Sequence, residues 1–168
     1  LISAAGPTLL LTNNERLWST GGVLTRWLHL ARHTRSEHAP PHVVERDWID
    51  GAFVVYRTST LRDMPFDERY FLYFEETDLH TRMRRSGHRV VWVPAARATQ
   101  TSSGMPPRTL GRHLTMFHDT HFTRASGIRA VWFESARALV RKLSLGRGTW
   151  ADAADVLRGR RDALRERR

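Results

Sequence analysis

An aromatic run that passes directly into a cluster of acids constrains the fold of this chain more than any other feature. Residues 66–74 are rich in aromatic side chains, and Glu75, Glu76 and Asp78 follow within four positions. Apolar neighbours and a second acid both raise the pKa of a carboxyl group, which suits a general base near neutral pH. Acids in the first turn of a helix are also stabilised by the helix dipole without any catalytic duty. The residues alone leave both interpretations open.

Helical spacing separates the three acids. A helix is predicted from about residue 75 to residue 85, and within it Asp78 and Arg82 form an i,i+4 pair of opposite charge. Glu76 instead heads a stripe formed by the residues at i+3, i+4 and i+7, which are Leu79, His80 and Met83. Asp78 therefore has a structural partner, whereas Glu76 has none within reach along the sequence. Glu76 is the candidate base.

Strand-like segments around this helix predict an α/β fold with a small mixed sheet. The strongest segment is 48–57, in which the apolar run 52–56 is typical of a buried strand. Gly51 and Ala52 leave room there for a ligand or another backbone. Further strands are predicted at 7–11, 16–22 and 89–93, with Pro94 as the stop. A turn is predicted at Asn13-Asn14, and surface loops at 29–41 and 95–107.

Helices are predicted in the C-terminal part of the chain, which we separate as a domain of residues 108–168 from a domain of residues 1–107. The first has Leu110, Leu114, Phe117 and His121 on one face. The second has an apolar stripe opposite Arg129, Arg137 and Lys142, formed by Ile128, Val131, Trp132, Ser135, Leu139 and Leu143. The third, 150–165, has few apolar residues, so we expect it to fray.

Positive charge is concentrated in the C-terminal part. The net charge is +10, and residues 124–168 hold twelve Arg or Lys against five acids, or +7. Such an excess of positive charge indicates a polyanionic binding partner, which could be nucleic acid, an anionic membrane surface or a phosphorylated substrate. The basic helices are typical of an element that docks on a membrane. An equally weighted alternative is that their apolar stripe packs on the domain while the arginines are solvated.

Composition excludes several kinds of site. The chain has no cysteine, so disulfides, thiolate metal sites and a cysteine nucleophile are ruled out. The histidines of the loop 29–41 form no convincing set of metal ligands, and His113, His118 and His121 are better explained by helix packing. No apolar run approaches the length of a membrane span, and no signal peptide is visible. The start at Leu1 rather than at a methionine suggests a fragment.

Several motifs follow one another in an order that resembles a known family. They are Trp48-Ile49-x-Gly51-Ala52, Phe66-Asp67-Glu68, Phe71-Leu72-Tyr73-Phe74-Glu75-Glu76-x-Asp78-Leu79-x-x-Arg82, Gly87 and Val93-Pro94-x-Ala96. The series is similar to the C-terminal half of a family 2 inverting glycosyltransferase of the GT-A fold, in the bacterial rhamnosyltransferase-like group that builds cell-wall and surface polysaccharides. The resemblance covers about residues 5–105 and extends only loosely to the helical tail.

The resemblance implies a site and a set of partners. Glu76, the second acid of the pair with Glu75, would deprotonate the acceptor hydroxyl. The acceptor side would be lined by Trp48, Asp50, Gly51 and Ala52, while Asp78 and Arg82 would support the helix. The donor would be a nucleotide-sugar and the acceptor a saccharide or lipid-linked saccharide. The implied location is cytoplasmic, at the inner face of the plasma membrane.

Two departures from the family pattern bear on activity. The family requires a divalent metal, Mg or Mn, bound through an Asp-x-Asp motif, and no two aspartates here are spaced i,i+2. The family's histidine after the Val-Pro strand is replaced by Gln100. The metal is therefore expected but its ligands are not in this chain, and a catalytically incomplete remnant is the main alternative. A nucleic-acid-binding module would explain the charge but not the acid cluster, which repels phosphates, so no nucleic acid is expected.

Overall fold

A computed structural model describes most of the chain, namely residues 1–13, 15–101 and 104–166. Asn14 of the predicted turn and Ser102 and Ser103 of the predicted loop lie outside the described residues. The chain divides into two compact units. The sheet unit contains Leu1–Thr25 and Ala31–Ser103, and the helical unit contains Arg26–Leu30 and Gly104–Arg168.

The sheet unit is built on a mixed sheet, as predicted. Its strands are β1 (Ile2–Leu11), β2 (Leu17–Ser19), β3 (Gly22–Leu24), β4 (Ala31–His33), β5 (Val44–Glu45), β6 (Val55–Tyr56) and β7 (Arg89–Gln100). Its helices are α1 (Thr58–Asp63) and α2 (Glu75–Arg85). β1 pairs with β7 in parallel and with β2 and β6 in antiparallel orientation, and β5 lies antiparallel on the other edge of β7. β3 and β4 form a separate hairpin. The α/β fold class is confirmed.

The predicted stripe of α2 is the face that packs in the core. Leu79, His80 and Met83 are all fully buried, and the two apolar side chains join a cluster with Val90 and Trp92 of β7. Burial of an aliphatic side chain of this size contributes about 1.5–3 kcal/mol, so this face anchors the helix. The first turn of α2 is thereby held in one position relative to the sheet.

The predicted strand at residues 48–57 is wrong for most of its length. Trp48 forms an isolated bridge with Gly22, and β6 pairs with β1, but residues 49–54 lie in no strand. Phe53 and Val55 are exposed rather than buried. The cause is a local turn, because the Asp50 side chain accepts a hydrogen bond from the Ala52 N–H at 3.0 Å. Such side-chain bonds to the backbone compete with a strand ladder. Residues 50–54 therefore form a loop.

Two further boundaries also differ from prediction. β7 continues past Pro94 to Gln100. Its register with β1 shifts between Gly6 and Thr8, so residues 93–96 have no partner residue in β1. Pro94 is tolerated there because its missing N–H is not needed for a hydrogen bond between the strands. The predicted loop at 29–41 contains β4, which pairs with β3. Both differences come from pairing with strands distant in sequence.

The helical unit contains three long helices, which are α3 (Pro107–His121), α4 (Arg124–Leu145) and α5 (Trp150–Arg165). α5 spans the predicted residues 150–165, and small residues let it approach α3 closely. A Cβ added to Gly111 would meet the Val156 carbonyl oxygen at 1.8 Å, and one added to Gly159 would meet that of Arg108 at 1.9 Å. Within the described residues, no helix is both long enough and apolar enough to cross a membrane.

The predicted apolar stripe of α4 does not act as one face. Val131 and Ser135 are buried, but Ile128, Trp132, Leu139 and Leu143 are exposed. The side of α4 that faces its own unit is instead lined by smaller residues, which allow close helix packing: Ser126, Gly127, Ala130, Val131 and Ser135. The interpretation in which the whole stripe packs on the domain is therefore wrong for its largest side chains.

Candidate active site

The first turn of α2 follows two residues with an unusual backbone. Tyr73 and Phe74 have φ angles of 68° and 70°, in the left-handed region that non-glycine residues rarely adopt. Each such residue costs on the order of 1–3 kcal/mol and persists only where surrounding structure enforces it. Phe74 is buried, and its carbonyl accepts a hydrogen bond from the Asp78 N–H at 2.8 Å. This sharp turn delivers Glu75 and Glu76 to the start of the helix.

The carboxyl groups of Glu75 and Glu76 are partly enclosed by the surrounding protein. Both side chains are half-buried, and the Oε2 atom of each is enclosed. Neither Oε2 atom has a hydrogen-bond partner in the described part of the chain. A buried polar atom without a partner is costly, so it marks a site where a ligand or a proton is expected.

The environment raises the pKa of both acids. Burial raises the pKa of Glu76 to about 8, and the charges of Glu75 and Asp50 add to this shift. Burial is also the largest cause of the raised pKa of Glu75, which a hydrogen bond with Glu76 partly opposes. Because the two carboxyl groups titrate as a pair, the pair retains a proton near neutral pH.

A loop places two of the predicted acceptor-side residues against this pair. A Cβ added to Gly51 would lie 3.7 Å from Cβ, Cγ and Cδ of Glu76, which is ordinary contact distance. Asp50 accepts hydrogen bonds from Trp18 Nε1 at 2.8 Å and from the Ala52 N–H at 3.0 Å. The structure thus brings Asp50, Gly51 and Glu76 together, with the Asp50 carboxylate oriented by two donors.

A series of hydrogen bonds between Ile49, His80 and Tyr56, which we call the relay, connects this loop to α2. The Ile49 N–H donates to His80 Nδ1 at 3.2 Å, and His80 Nε2 lies 3.1 Å from the Tyr56 hydroxyl oxygen. Since a backbone N–H can only donate, Nδ1 is the acceptor and Nε2 carries the proton. Burial lowers the pKa of His80 to about 3, so the ring is neutral. Burial raises the pKa of Tyr56, and the charges of Glu76 and Glu75 raise it further.

Trp48 lies beneath the loop rather than at its surface. It is buried, packs edge-on against His33 at 4.8 Å between ring centroids, and covers Gly22 so closely that a Cβ there would meet it at 2.1 Å. His33 Nδ1 lies 3.0 Å from Ser19 Oγ and 3.7 Å from Asp50 Oδ2. Trp48 therefore supports the loop from inside the unit.

Asp78 and Arg82 form the ion pair predicted from their spacing. Arg82 Nε lies 2.8 Å from Asp78 Oδ2, and Asp78 is almost completely buried. Arg82 Nη2 also donates to the Pro65 carbonyl at 2.8 Å. The guanidinium thereby ties the segment that precedes α2 to the helix itself.

Four residues around the site were not predicted to belong to it, namely Trp18, His33, Tyr56 and His80. His80 has a signal in the sequence, because it lies one turn after Glu76 on the same stripe. His33 was assigned to a surface loop, and nothing along the chain connects it with Asp50. Such contacts arise from strand pairing and cannot be found from spacing.

An open cleft of about 350 Å³ leads along the aromatic segment to Glu75. Its lining combines aromatic rings with carboxylates: Phe66, Asp67, Glu68, Tyr70, Phe71 and Glu75. Phe71 is 93% exposed. Aromatic faces beside carboxylates can contact the apolar face of a sugar ring and accept its hydroxyl protons.

The residues around the site do not form a metal-binding cluster in the described part of the chain. Among the described residues, no group of three or more His, Asp or Glu side chains is close enough together to hold a metal ion. The residues present do not fit the divalent metal that the family resemblance implies, and we derive no step through one. Gln100, which stands at the position of the family's metal-binding histidine, ends β7.

Comparison with known proteins finds two similar glycosyltransferases. Over 102 residues the chain is 28% identical to "N-acetylglucosaminyl-diphospho-decaprenol L-rhamnosyltransferase" of Mycobacterium tuberculosis, in strains CDC 1551 / Oshkosh and ATCC 25618 / H37Rv. The match covers 60% of this chain and 33% of each relative, so the chain spans about one third of their length. No protein-family model matches the chain. The similarity supports a relationship to glycosyltransferases at the level of the family.

Proposed function

We propose that this chain supplies the acceptor side of an inverting glycosyltransferase of the GT-A type, with Glu76 as the general base. The observation that carries the proposal is the Glu76 carboxyl group beside Asp50 and Gly51, whose Oε2 atom is enclosed and has no hydrogen-bond partner among the described residues. A structural acid in the first turn of a helix is normally solvated or paired. The Oε2 atom of Glu76 is enclosed and has no partner among the described residues, and burial raises the pKa of Glu76 into the range useful for proton transfer.

In the proposed reaction, an acceptor hydroxyl gives its proton to Glu76 while its oxygen attacks the anomeric carbon of a nucleotide-sugar. The new C–O bond forms opposite the bond to the diphosphate, which breaks, so the configuration inverts and a nucleoside diphosphate leaves. Asp50, held by Trp18 and Ala52, would accept a hydrogen bond from a sugar hydroxyl. Because Glu76 must be ionised to act, transfer should increase with pH, reach half its maximum near pH 8 and level off above that.

The name of the mycobacterial relatives indicates the substrates to try. We propose an activated L-rhamnose donor and a diphospho-polyprenol-linked saccharide acceptor, in cell-wall or surface polysaccharide synthesis at the inner face of the plasma membrane. Residues 1–107 would form the acceptor half of the domain. The metal that the family resemblance implies would be bound by groups outside the described residues.

The substitution Glu76→Gln in the complete protein that carries this sequence tests the base role. Glutamine keeps the shape of the side chain but cannot accept the proton, so transfer should fall by a factor of about 100–10,000 while donor binding is unchanged. The assay is transfer of labelled sugar to the lipid-linked acceptor, with donor affinity from calorimetry.

The matched control is Glu45→Gln, which removes the charge of an exposed acid on β5 of the same unit. It should retain the parent rate. Retained turnover in Glu76→Gln, with an unchanged circular dichroism spectrum, would remove Glu76 from the base role. Donor binding without transfer in the parent would favour a catalytically incomplete remnant.

A further inference from the structure

One side of α4 presents a row of large apolar side chains to solvent. Trp132 is 59% exposed and Leu143 is 71% exposed. The row contains six side chains: Ile128, Trp132, Phe133, Leu139, Val140 and Leu143. At 3.6 residues per turn they fall within a sector of about 140° of the helix. We call these six residues the apolar face of α4.

The helical unit does not use this face for its own packing. The opposite side of α4 faces α5, where Ser135 Oγ donates to the Ala153 carbonyl at 2.9 Å. Val131, on the same inward side, is completely buried. Because inward packing is complete without the six large residues, their exposure is not a by-product of a poorly formed core. Contiguous exposed apolar surface of this kind usually marks an interaction site.

Charge around the apolar face is positive. Arg129 lies within the sector, and Arg141 and Lys142 lie near the end of the helix. The one acid of α4 is Glu134, which is buried on the other side and bonded to Arg137. A second copy of the chain would bring these like charges together, whereas anionic lipid headgroups would neutralise them.

We propose that α4 lies on an anionic phospholipid membrane, with its apolar face in the acyl boundary and Arg129, Arg141 and Lys142 at the headgroups. Tryptophan, phenylalanine and leucine beside arginine and lysine are typical of helices that bind in the membrane interface. This docking goes beyond the proposed glycosyl transfer and does not depend on it. It would hold the protein at the surface where a lipid-linked acceptor is found.

Vesicle sedimentation of the 168-residue chain tests the proposal. The protein should sediment with phosphatidylcholine vesicles that contain phosphatidylglycerol, and markedly less with phosphatidylcholine alone or in high salt. The double substitution Leu139→Glu with Leu143→Glu should weaken binding about tenfold or more, because it places two charges in the acyl boundary. Both positions are exposed, so the fold should be kept, and circular dichroism checks this.

The matched control places two glutamates at exposed valines of the sheet unit, Val23→Glu with Val43→Glu. The net charge changes equally, so this variant should bind nearly as well as the parent. The variant Glu76→Gln should also bind like the parent, which separates docking from catalysis.

Three results would overturn the proposal. Equal binding of the Leu139→Glu, Leu143→Glu variant would show that the apolar face is not the contact. If the parent does not bind vesicles but self-associates in sedimentation velocity, and the variant does not self-associate, the apolar face is the contact with a second copy. If this chain binds vesicles but a longer natural chain that contains it does not, the apolar face is covered by another segment of the longer chain.

Discussion

Enclosed acidic side chains differ between the two units in whether a cation is bonded to them. In the sheet unit, Glu75 and Glu76 are enclosed, and the Oε2 atom of each has no partner among the described residues. In the helical unit, Glu134 is even more deeply buried, but its Oε2 accepts hydrogen bonds from both Nε and Nη2 of Arg137. Burial alone therefore does not distinguish a candidate catalytic acid from a structural one.

Pairing with a cation is what separates the two cases. A hydrogen bond from Arg108 lowers the pKa of Asp162 in the helical unit, whereas burial without a cation raises the pKa of Glu76. Within α2, Asp78 is buried as well, and it is bonded to Arg82. A neighbouring cation favours the ionised form of an acid, whereas burial without one favours the protonated form.

The largest effect on stability is expected from breaking the buried pair of the helical unit. The substitution Arg137→Met leaves the Glu134 carboxylate buried without this cation, which should reduce the free energy of unfolding by about 3 kcal/mol. Urea denaturation at neutral pH measures the loss. Arg158→Met, which breaks a more exposed i,i+3 pair with Asp155, should cost less than about 1 kcal/mol. Equal losses in the two variants would contradict the comparison.

Glu76→Gln should change stability in the opposite direction, and the gain should grow as pH rises above 4.5. The pKa of Glu76 is raised in the folded protein from an ordinary value of 4.5 to about 8, so between these values the folded state binds more protons than the unfolded state. Stability contributed by this group is therefore complete below pH 4.5 and is lost as pH rises towards 8. Glutamine does not titrate, so the variant should be more stable than the parent by on the order of 2 kcal/mol near pH 8.5. Denaturation at several pH values tests this, and a difference that is constant with pH would refute the raised pKa.

A smaller effect is expected from the relay between α2 and the Asp50 loop. His80→Phe leaves the Ile49 N–H without its acceptor and should cost about 1–2 kcal/mol, whereas Tyr56→Phe should cost less than about 1 kcal/mol. The pKa of His80 is lowered from 6.5 to about 3 in the folded protein, so the unfolded state binds more protons between these values and the parent loses stability as pH falls below 6.5. The Phe variant lacks this part of the acid-induced loss.

Denaturation at pH 7 and in mild acid measures both effects of His80→Phe. Because His80 positions the loop, the variant should also reduce transfer in the complete protein without changing the pH at which transfer reaches half its maximum. An unchanged free energy of unfolding, or the same loss of stability in acid as in the parent, would show that the relay does not hold the loop.

Local patterns predicted the parts of the fold that depend on short-range interactions. The bounds of α2, its buried stripe and the Asp78–Arg82 pair all follow from helical periodicity, and the structure confirms them. The separation of Glu76 from Asp78 depends on the same periodicity. These features require only neighbours within about two turns, which the sequence displays directly.

Patterns failed where a competing interaction was not visible along the chain. The apolar run at 52–56 resembled a buried strand, but the Asx turn at Asp50 and the pairing of β6 at one edge of β1 left Phe53 and Val55 exposed. On α4, periodicity identified apolar residues but could not tell which side would face α5. Small residues form that side because they allow closer helix packing.

The sequence by itself determined a mixed α/β fold, the helix that begins at Glu75, and the choice of Glu76 as the acid without a local partner. Only the tertiary structure placed Asp50, Gly51 and the His80–Tyr56 relay around that helix, and only it turned the apolar face of α4 outwards. The physical reason is the range of the interactions. Helical spacing and i,i+4 pairing act between near neighbours, whereas burial, and therefore the pKa of a carboxyl group, depends on every element that packs around it.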